Sequence, residues 1–384
     1  PICIDFSGKA YDSADVLLKV FDDTLMKWEQ QFGIRSHSDV PGLRFGNVID
    51  AAFAKTGRPV VILIDEYDKP IVDNLGDESL SDTFRRQLQG FYSVMKAKDA
   101  CIRFGFLTGV TKIGKLSVFS GLNNLEDISM SLENAEICGI TEKDIRAYFA
   151  ESVAEMAQTN AISTEACYAA LADMYDGYHS HPDAAGLYNP FSLLRALKNK
   201  EFKEYWFETG TPSFLVKVMK ETDYDVTRLA DDEIDGGSLM DVDTVFHNPL
   251  PILYQSGYLT IKDFDKELGI YHLGFPNREV KQGFLNFLVK YYTPSRSESG
   301  MMLVSKMLRD IRSGNAEGFI QRLVALFAKT SYQIQGDAEK DFQYAMFIIL
   351  ELMGEYVEVE KATSNGRIDI LLQTTDYIYI IEIK

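Results

Sequence analysis

The first third of the chain alternates short apolar runs with stretches in which apolar residues recur every three or four positions. A continuous run such as Val60–Ile64 is typical of a buried parallel strand, and the spacing over Ala14–Phe32 is typical of a helix. In chain order the predicted elements are strand Pro1–Phe6, helices Ala14–Phe32 and Gly42–Lys55, strand Val60–Ile64, helix Ser81–Lys98 and strand Ile102–Leu107. This alternation predicts a doubly wound parallel sheet.

The middle of the chain has a mostly helical pattern, from about Glu133 to Lys220. One helix is predicted to begin at Thr141, where the sequence Thr-x-x-Asp has the form of a capping box. Two segments rich in Gly, Tyr or Pro interrupt the helices, Tyr175–Tyr178 and Tyr188–Phe191. The first predicts a glycine turn packed by two tyrosines, with a substrate-binding loop as the alternative.

The segment after these helices changes character. Asp223–Asn248 is acidic and weakly periodic, and its run Asp223–Asp243 predicts a solvent-exposed linker face. Ile252–Ile261 and Gly269–Gly274 have the apolar composition of strands, and they predict a short β-hairpin with Asp263–Lys266 near its turn. The middle part is therefore expected to be helical with one small sheet.

The last quarter of the chain combines helices with a final group of strands. Helices are predicted at about Asn277–Tyr292, Glu298–Ser313, Ala316–Phe327 and Asp341–Met353, and strands at Val357–Lys361, Arg367–Gln373 and Tyr377–Lys384. The last two strands are apolar and are joined by the polar turn Thr374–Asp376, so they predict an antiparallel hairpin. Because both chain ends coincide with predicted strands, we expect the interior of a longer protein.

Charged residues stand at one end of this hairpin. Asp369 begins its first strand, and Glu382 and Lys384 end its second strand. These two ends face each other in an antiparallel hairpin, and residues two apart share a face, so the three side chains are expected to converge. Two carboxylates suit a hard cation such as Mg²⁺ or Mn²⁺, and a lysine stabilises the charge that develops in phosphodiester hydrolysis.

Residues 339–384 resemble the PD-(D/E)XK nuclease superfamily, whose pattern is D…(D/E)-x-K. The resemblance implies a further acidic residue on or near the preceding helix, for which Glu339 is the best match and Glu351 and Glu360 are weaker ones. It also implies a final helix and strand after the lysine, so the domain is expected to be truncated. The alternative is an ordinary α/β hairpin whose edge charges serve solubility.

Two acidic residues, Asp65 and Glu66, follow the predicted strand Val60–Ile64 in the form of a Walker B strand. In that arrangement the first acid helps to hold Mg²⁺ on a nucleotide, and the second polarises the attacking water. Thr108 follows the next strand, where such ATPases place a polar residue that senses the γ-phosphate. The alternative is a buried parallel strand that ends in acids at the edge of a sheet.

A phosphate-binding loop of the form G-x-x-x-x-G-K-[ST] should precede these acids, and residues 1–64 contain none. Gly109–Leu116 is a near match, but Leu116 stands where a hydroxyl is needed to bind Mg²⁺. The segment also follows the acids instead of preceding them. The loop is therefore expected upstream of Pro1.

Composition and charge restrict the partners. The 384 residues are 46% hydrophobic and 25% charged, as in soluble globular proteins. No apolar run approaches the roughly 20 residues that cross a bilayer, so a cytoplasmic protein without membrane association is expected. The net charge of −18 argues against a broad, sequence-blind grip on nucleic acid, but it is compatible with an acidic metal site beside a local basic groove.

The cysteines and histidines give no metal site. Cys3, Cys101, Cys138 and Cys167 are far apart and lie beside apolar residues, which predicts small buried residues in a reducing compartment. The histidines lack the spacing of metal ligands and are expected at the surface or in loops. Trp206 is expected to anchor a core, with base stacking as the alternative.

Several longer motifs resemble one bacterial family, the AAA-ATPase-like proteins, across nearly the whole chain. They are Ile64–Pro70, Phe106–Lys112, Phe119–Leu125, Tyr175–Tyr178, Tyr205–Pro212 and Tyr254–Leu259. Family members commonly carry a C-terminal PD-(D/E)XK nuclease domain. The resemblance implies four parts: a parallel-sheet P-loop ATPase-like core at 1–132 without its Walker A segment, a mostly helical subdomain with a short hairpin at 133–276, a helical connector at 277–335, and an incomplete restriction-endonuclease-like α/β domain at 336–384.

The residues and the resemblance together predict an ATP-dependent regulator fused to a metal-dependent nuclease that acts on DNA. The predicted catalytic residues are Asp369, Glu382, Lys384, Glu339 and Glu66; Asp65 and Thr108 are predicted to bind ATP, and Asp369, Glu382 and Asp65 to hold Mg²⁺ or Mn²⁺. One alternative is a nucleotide-switched protein whose degenerate nuclease fold binds nucleic acid or another partner. Another is a signalling ATPase that forms a homo-oligomer on binding ATP.

Overall fold

A computed structural model of the chain describes residues 1–111, 118–119, 122, 124–208, 213–240, 247–292, 300–327, 338–353, 356–363 and 366–382. For Glu339, Glu360 and Asp369 the description covers the backbone alone. The chain divides into two compact units, the first made of Pro1–Ile128 and Gly237–Val245 and the second of Ser129–Gly236 and Phe246–Lys384. Among the described residues, the first unit holds one β-sheet and the second holds two.

The first unit is built on a parallel three-stranded sheet. β1 (Ile2–Asp5), β2 (Val60–Asp65) and β3 (Ile102–Leu107) lie side by side in that order. The described helices between and after them are Ala14–Phe32, Pro41–Thr56, Lys69–Val72, Glu78–Tyr92 and Val94–Ala97, with a 3-10 turn at Asp99–Cys101. The predicted alternation of strands and helices is confirmed, and the helix predicted at Ser81–Lys98 is divided at Ser93.

One face of this sheet carries the core of the unit. It presents residues that are no more than 4% exposed: Ile2, Ile4, Ile62 and Ile64. Helix Pro41–Thr56 contacts β2, and a Cβ on Gly105, in β3, would lie 3.2 Å from Met95 Cε. The opposite face exposes Cys3, Leu63 and Phe104, the last to 54%. Because parallel sheets usually bury both faces, this second face is open to an unusual degree in the part of the chain that the structure describes.

The second unit is mostly helical up to residue 221, as predicted. Its longer described helices are Glu142–Tyr148, Ala150–Thr159, Thr164–Tyr175, Pro190–Asn199, Ser213–Glu221, Leu250–Gln255, Arg278–Tyr292, Gly300–Arg312, Ala316–Phe327 and Ala338–Met353, with 3-10 turns at Leu132–Asn134 and Trp206–Glu208. The predicted capping box is present, because Thr141 Oγ1 accepts from the Asp144 N–H and the Asp144 carboxylate accepts from the Thr141 N–H. Within the described ranges, no helix combines the length and apolar character needed to span a bilayer.

The prediction of a linker at Asp223–Asp243 is wrong, whereas its described acids other than Asp232 are exposed, as predicted. The segment contains a 3-10 turn, a strand and a short helix: Val226–Ala230, β4 (Asp232–Asp235) and Gly236–Leu239. The carboxylate of Asp232 is 1% exposed because it pairs with Arg228 and accepts from the Tyr224 hydroxyl. A cationic and a hydroxyl partner let an acidic residue enter a sheet, and sequence periodicity does not reveal such partners.

The hairpin predicted from Ile252–Ile261 and Gly269–Gly274 is shifted along the chain. Its strands are β5 (Thr260–Asp265) and β6 (Ile270–Gly274), and the residues before them form the helix Leu250–Gln255. β6 also pairs with β4, which gives an antiparallel sheet in the order β4–β6–β5. The apolar run at residues 250–255 packs as a helix turn, since a short run of this kind fits either element.

The last described sheet is antiparallel. β7 (Tyr356–Thr363), β8 (Gly366–Gln373) and β9 (Ile378–Ile381) are neighbours in that order. Helix Ala338–Met353 contacts β7. Ile370 and Leu372 of β8 are fully buried, whereas Ile378 and Ile380 of β9 are 66% and 62% exposed. The predicted β8–β9 hairpin is therefore confirmed, with one face buried and the other open.

The prediction that all four cysteines are buried is wrong. Cys167 is buried, Cys101 is partly exposed, and Cys3 and Cys138 are exposed, all as free thiols. Cys3 alternates with the buried Ile2 and Ile4, so it projects from the open face of the parallel sheet. A neighbouring apolar sequence therefore does not establish burial, because alternate residues of a strand face opposite sides.

Candidate functional sites

The first candidate site lies at the carboxyl edge of the parallel sheet. Asp65 ends β2 with an exposed side chain, and Thr108, directly after β3, donates its hydroxyl hydrogen to Asp65 Oδ1 at 2.5 Å. The Thr108 N–H also donates to the Ile64 carbonyl at 2.8 Å. The sheet thus brings together the acid and the hydroxyl that the sequence pattern assigns to a nucleotide site.

Glu66 leaves the strand in a left-handed conformation, with φ of 51°. Its N–H donates to Asp65 Oδ1 at 3.0 Å, and its carbonyl accepts from the Lys69 N–H at 3.0 Å. Such a φ is uncommon outside glycine and recurs at functional sites. Partial burial raises the pKa of the Glu66 carboxyl, with further increases from Asp65 and Asp5 and an opposing effect of Lys69. A raised pKa suits a group that takes up a proton.

A third carboxylate at this edge, Asp5, is absent from the predicted site residues. The register of β1 on β2 places Asp5 opposite Asp65. The Ser7 N–H donates to Asp5 Oδ1 at 2.7 Å, and hydrogen bonds from Ser7 lower the pKa of Asp5. Asp5 ends an apolar run just as Asp65 does, and this sequence feature could have predicted Asp5 as a site residue. That the two strands are neighbours, however, is not evident from local sequence.

The second candidate site lies at the open end of the β8–β9 hairpin. Ile370 pairs with Ile381 and Leu371 with Ile380, so the next pair in this register is Asp369 with Glu382. Directly opposite residues of antiparallel strands share a face, with Cβ atoms about 4.5–5.5 Å apart. The backbone therefore places these two acidic positions side by side.

A third acidic position extends this row to the other neighbour of β8. Val359 pairs with Ile370 and Lys361 with Ile368, so Glu360 of β7 lies opposite Asp369. β7, β8 and the residue directly after β9 therefore carry an acid at the same level of the sheet, in the order Glu360, Asp369, Glu382. Glu360 entered the sequence analysis as a weaker candidate, and its place in this row depends on a strand pairing that only the fold provides.

The other predicted residues of this site are placed less favourably or fall outside the description. Glu339 lies in the first turn of helix Ala338–Met353 instead of before it. Glu351, near the end of that helix, forms an ion pair with Lys281 at 2.6 Å and is 15% exposed. Lys384 lies outside the described residues. The ion pair gives Glu351 a structural role that competes with metal binding.

Neither site contains a preformed metal cage among the side chains that the structure describes. No group of three or more His, Cys, Asp or Glu side chains comes together there in a way that could hold a metal ion. The Glu360 and Asp369 side chains belong to the part that is not described, whereas Glu382 is described and exposed. The donor types in the row are carboxylate oxygens, which fit a hard divalent cation such as Mg²⁺.

Comparison with known proteins gives two family matches on one chain. Residues 2–119 match the family described as predicted AAA-ATPase, and residues 337–384 match the PD-(D/E)XK nuclease superfamily. A protein of Azotobacter chroococcum mcd 1, named "Uncharacterized protein in vnfD 5'region", is 34% identical over 390 aligned residues, which cover 99% of this chain and 73% of that protein. The chain belongs to the AAA-ATPase-like family. No solved structure matches it.

Each family match contains one of the two candidate sites. The AAA-ATPase-like match includes Asp5, Asp65, Glu66 and Thr108, and the nuclease-superfamily match includes Glu360, Asp369 and Glu382. This AAA-ATPase-like protein thus carries an ATPase-type domain and a nuclease-type domain in one chain.

Proposed function

We propose that this chain belongs to an ATP-dependent regulator whose nuclease-like domain uses a divalent metal to cleave DNA phosphodiester bonds. The observation that carries the proposal is the cross-strand row of acidic positions, in which Asp369 lies between Glu360 and Glu382. An ordinary hairpin gains nothing from like charges placed directly opposite each other, because they repel. A shared divalent cation would turn that repulsion into coordination.

The residues of this row have separable roles in the proposed reaction. Asp369 and Glu382 would hold Mg²⁺ or Mn²⁺, which supplies a more acidic bound water and polarises the phosphate. Lys384, two residues after Glu382, is positioned by sequence to stabilise charge on the phosphate. For the further acid, the register favours Glu360 over Glu339, and the ion pair with Lys281 disfavours Glu351.

The carboxyl edge of the parallel sheet supports the nucleotide part of the proposal. Asp65 would hold the Mg²⁺ of Mg²⁺·ATP, Glu66 would accept a proton from the attacking water, and Thr108 would contact the γ-phosphate. The raised pKa of Glu66 suits a base. The hydrogen bond between Thr108 and Asp65 holds these two side chains next to each other. Ligands of open α/β sheets bind at this carboxyl edge.

The open face of the parallel sheet is consistent with a P-loop arrangement. The connections from β1 to β2 and from β2 to β3 advance in one direction across the sheet, and right-handed crossovers place their helices on one face. A further strand could pair with the free edge of β3 and be connected through a helix to β1. That connection would cross the sheet in the opposite direction, so its helix would cover the face of Leu63 and Phe104. The loop between this further strand and its helix would lie near Thr108 and Asp65.

The cleavage activity is tested with full-length protein on linear, branched and single-stranded DNA, with Mg²⁺ or Mn²⁺ and with ATP present or absent. We expect metal-dependent cleavage that is lost in Asp369→Ala and Glu382→Ala, by about a hundredfold or more per carboxylate, since each supports the metal's charge stabilisation. Glu360→Gln should reduce cleavage, whereas Asp376→Asn, in the turn of the same hairpin, should leave it unchanged.

Protein that remains inert on all three DNA forms with both metals would contradict the cleavage proposal. The net charge of −18 favours the remaining function in that case, a nucleotide-switched protein whose nuclease fold binds a partner without catalysis. ATP hydrolysis that persists in the inert protein would support that second function. Sizing with and without ATP would then show whether a homo-oligomer forms.

A further inference from the structure

A fully buried carboxylate joins the two loops at the carboxyl edge of the parallel sheet. Asp68 lies in the loop after β2 and is 0% exposed. Its Oδ1 accepts from the Val110 N–H at 3.2 Å, and its Oδ2 accepts from the Thr111 N–H at 2.5 Å and from the Thr111 hydroxyl at 2.7 Å. Among the described residues, the donors that other residues direct at the Asp68 carboxylate therefore all lie in the loop after β3.

The neighbouring Tyr67 adds two hydrogen bonds between the same loops. Its N–H donates to the Thr108 carbonyl at 3.0 Å, and its hydroxyl donates to the Thr111 carbonyl at 2.9 Å. The backbone of Thr108 is thus held from both sides, because its own N–H donates to the Ile64 carbonyl. Thr108 is the residue whose hydroxyl contacts Asp65.

The fit of the two loops leaves no room for a side chain at Gly109. A Cβ there would lie 2.5 Å from Asp68 Oδ1 and 2.8 Å from Tyr67 Cε1. Contacts this short do not occur for real Cβ atoms, so a larger residue would separate the loops. The glycine of the motif Thr108-Gly-Val-Thr is therefore explained by the approach of Asp68.

The charge of Asp68 makes this connection costly to break. Burial raises its pKa, and the hydrogen bonds from Thr111 and Val110 act in the opposite direction by stabilising the ionised form. A buried carboxylate that loses its donors carries the full cost of desolvation. Movement of residues 110–111 would remove those donors together, so the two loops are expected to move as one body.

We propose that Asp68 is a positioning residue that, through Val110 and Thr111, holds Thr108 against Asp65. This inference rests on the proposed nucleotide role of Asp65 and Thr108. In that role Asp68 contacts no nucleotide. It fixes the separation of the magnesium-holding acid and the phosphate-contacting hydroxyl, which lie on neighbouring strands and would otherwise depend on two independent loops.

The proposal is tested by Asp68→Asn, which keeps the size of the side chain. It removes the charge and replaces one accepting oxygen with an NH₂ group that faces other donors. Amide hydrogen exchange over residues 108–111 should become at least about tenfold faster than in the wild type, since local opening no longer leaves a charge unpaired. In full-length protein, kcat for ATP hydrolysis should fall by about tenfold or more while KM for ATP changes by less than about threefold, because Asp68 does not touch ATP.

Two substitutions of Thr111 separate positioning from general packing. Thr111→Ser keeps the hydroxyl donor and should keep both the exchange rate and kcat near wild type. Thr111→Val keeps the shape but removes that donor, and it should lie between wild type and Asp68→Asn in both measurements. A serine variant that behaves like the valine variant would overturn the proposal, because shape and not the hydrogen bond would then decide.

The exchange and kinetic measurements also distinguish this inference from the proposed function. Unchanged exchange over residues 108–111 in Asp68→Asn would overturn the positioning role, whatever the ATPase activity. If Asp68→Asn exchanges faster but the wild-type protein hydrolyses no ATP, the connection between the loops would be established and its role in hydrolysis overturned. A kcat that falls together with a proportional rise in KM would likewise reject a positioning role.

Discussion

Glu279, at the start of helix Arg278–Tyr292, is a fully buried acid in the second unit. Its Oε1 accepts from the Ser192 hydroxyl at 3.0 Å and from the Trp206 N–H at 2.9 Å, whereas its Oε2 has no hydrogen-bond partner among the described residues. It therefore connects helix Pro190–Asn199 with the family motif that begins at Tyr205. Burial raises the pKa of Glu279, and its hydrogen bonds only partly offset that effect.

The raised pKa of Glu279 gives a prediction about stability and pH. The folded protein binds this proton more tightly than the unfolded chain, so the free energy of unfolding should fall as pH rises from the ordinary value near 4.5 through the folded pKa. Glu279→Gln removes this pH dependence and keeps an oxygen for Ser192 and Trp206. Urea unfolding at pH 5 and pH 8 should show the variant gaining stability relative to wild type at the higher pH.

Glu279→Ala serves as the control for that measurement. It removes the acceptor and leaves the Ser192 hydroxyl and the Trp206 N–H unpaired, so it should be about 1–3 kcal/mol less stable than Glu279→Gln at both pH values. A difference between wild type and Glu279→Gln that is the same at pH 5 and pH 8 would show that the carboxyl does not titrate with a raised pKa in the folded protein.

At the scale of elements, the helices of the first unit pack closely at one pair of glycines. Gly42 lies in the first turn of helix Pro41–Thr56 and faces Gly90 of helix Glu78–Tyr92, and a Cβ on Gly42 would lie 2.3 Å from the Gly90 carbonyl oxygen. Nearby, the rings of Phe45 and Phe91 stack with centroids 4.7 Å apart. The contact brings backbone against backbone, so the helices cannot accommodate a methyl group without separating.

Gly42→Ala is therefore expected to destabilise the first unit. The added methyl group meets a backbone oxygen, and overpacking of this kind costs about 1–3 kcal/mol. Gly90→Ala is a matched control, because a Cβ there meets nothing within 4 Å and alanine favours a helix by roughly 1 kcal/mol over glycine. Thermal or urea unfolding compares the two; equal effects of both substitutions would contradict the close crossing.

Local pattern predicted the elements best where periodicity was long or strongly apolar. Helix Ala14–Phe32 has its predicted bounds, and the capping box at Thr141 fixed the start of its helix. β4 escaped prediction because its buried Asp232 depends on Arg228 and Tyr224. The start of the hairpin at Thr260 was misplaced because the preceding apolar run fits a helix or a strand.

The candidate sites show the same limit at the level of residues. Asp65, Glu66, Asp369 and Glu382 could be predicted because each stands at the end of a recognisable strand or hairpin. Asp5 and Glu360 gain their significance only from strands that pair with β2 and β8, and the role of Asp68 depends on a loop more than forty positions away. Long-range pairing is the information that local sequence lacks.

At the scale of the whole molecule, one acidic chain carries an ATPase-type unit and a nuclease-type sheet. The net charge of −18 gives the protein little general attraction for DNA, so the proposed action on a phosphodiester would depend on local cations. The acidic row across β7, β8 and β9 would attract such a cation. The cation would in turn offset most of the local negative charge that DNA meets. Metal binding at this row is therefore the central claim.

That claim is tested most directly by calorimetric titration of Mn²⁺ into protein carrying Asp65→Asn, which removes the acid at the other candidate site. We predict one saturable site, weakened at least about tenfold by Asp369→Asn and by Glu382→Gln and unaffected by Asp376→Asn, since only the first two remove a carboxylate from the row. The absence of saturable binding, or equal binding by all these variants, would contradict the account.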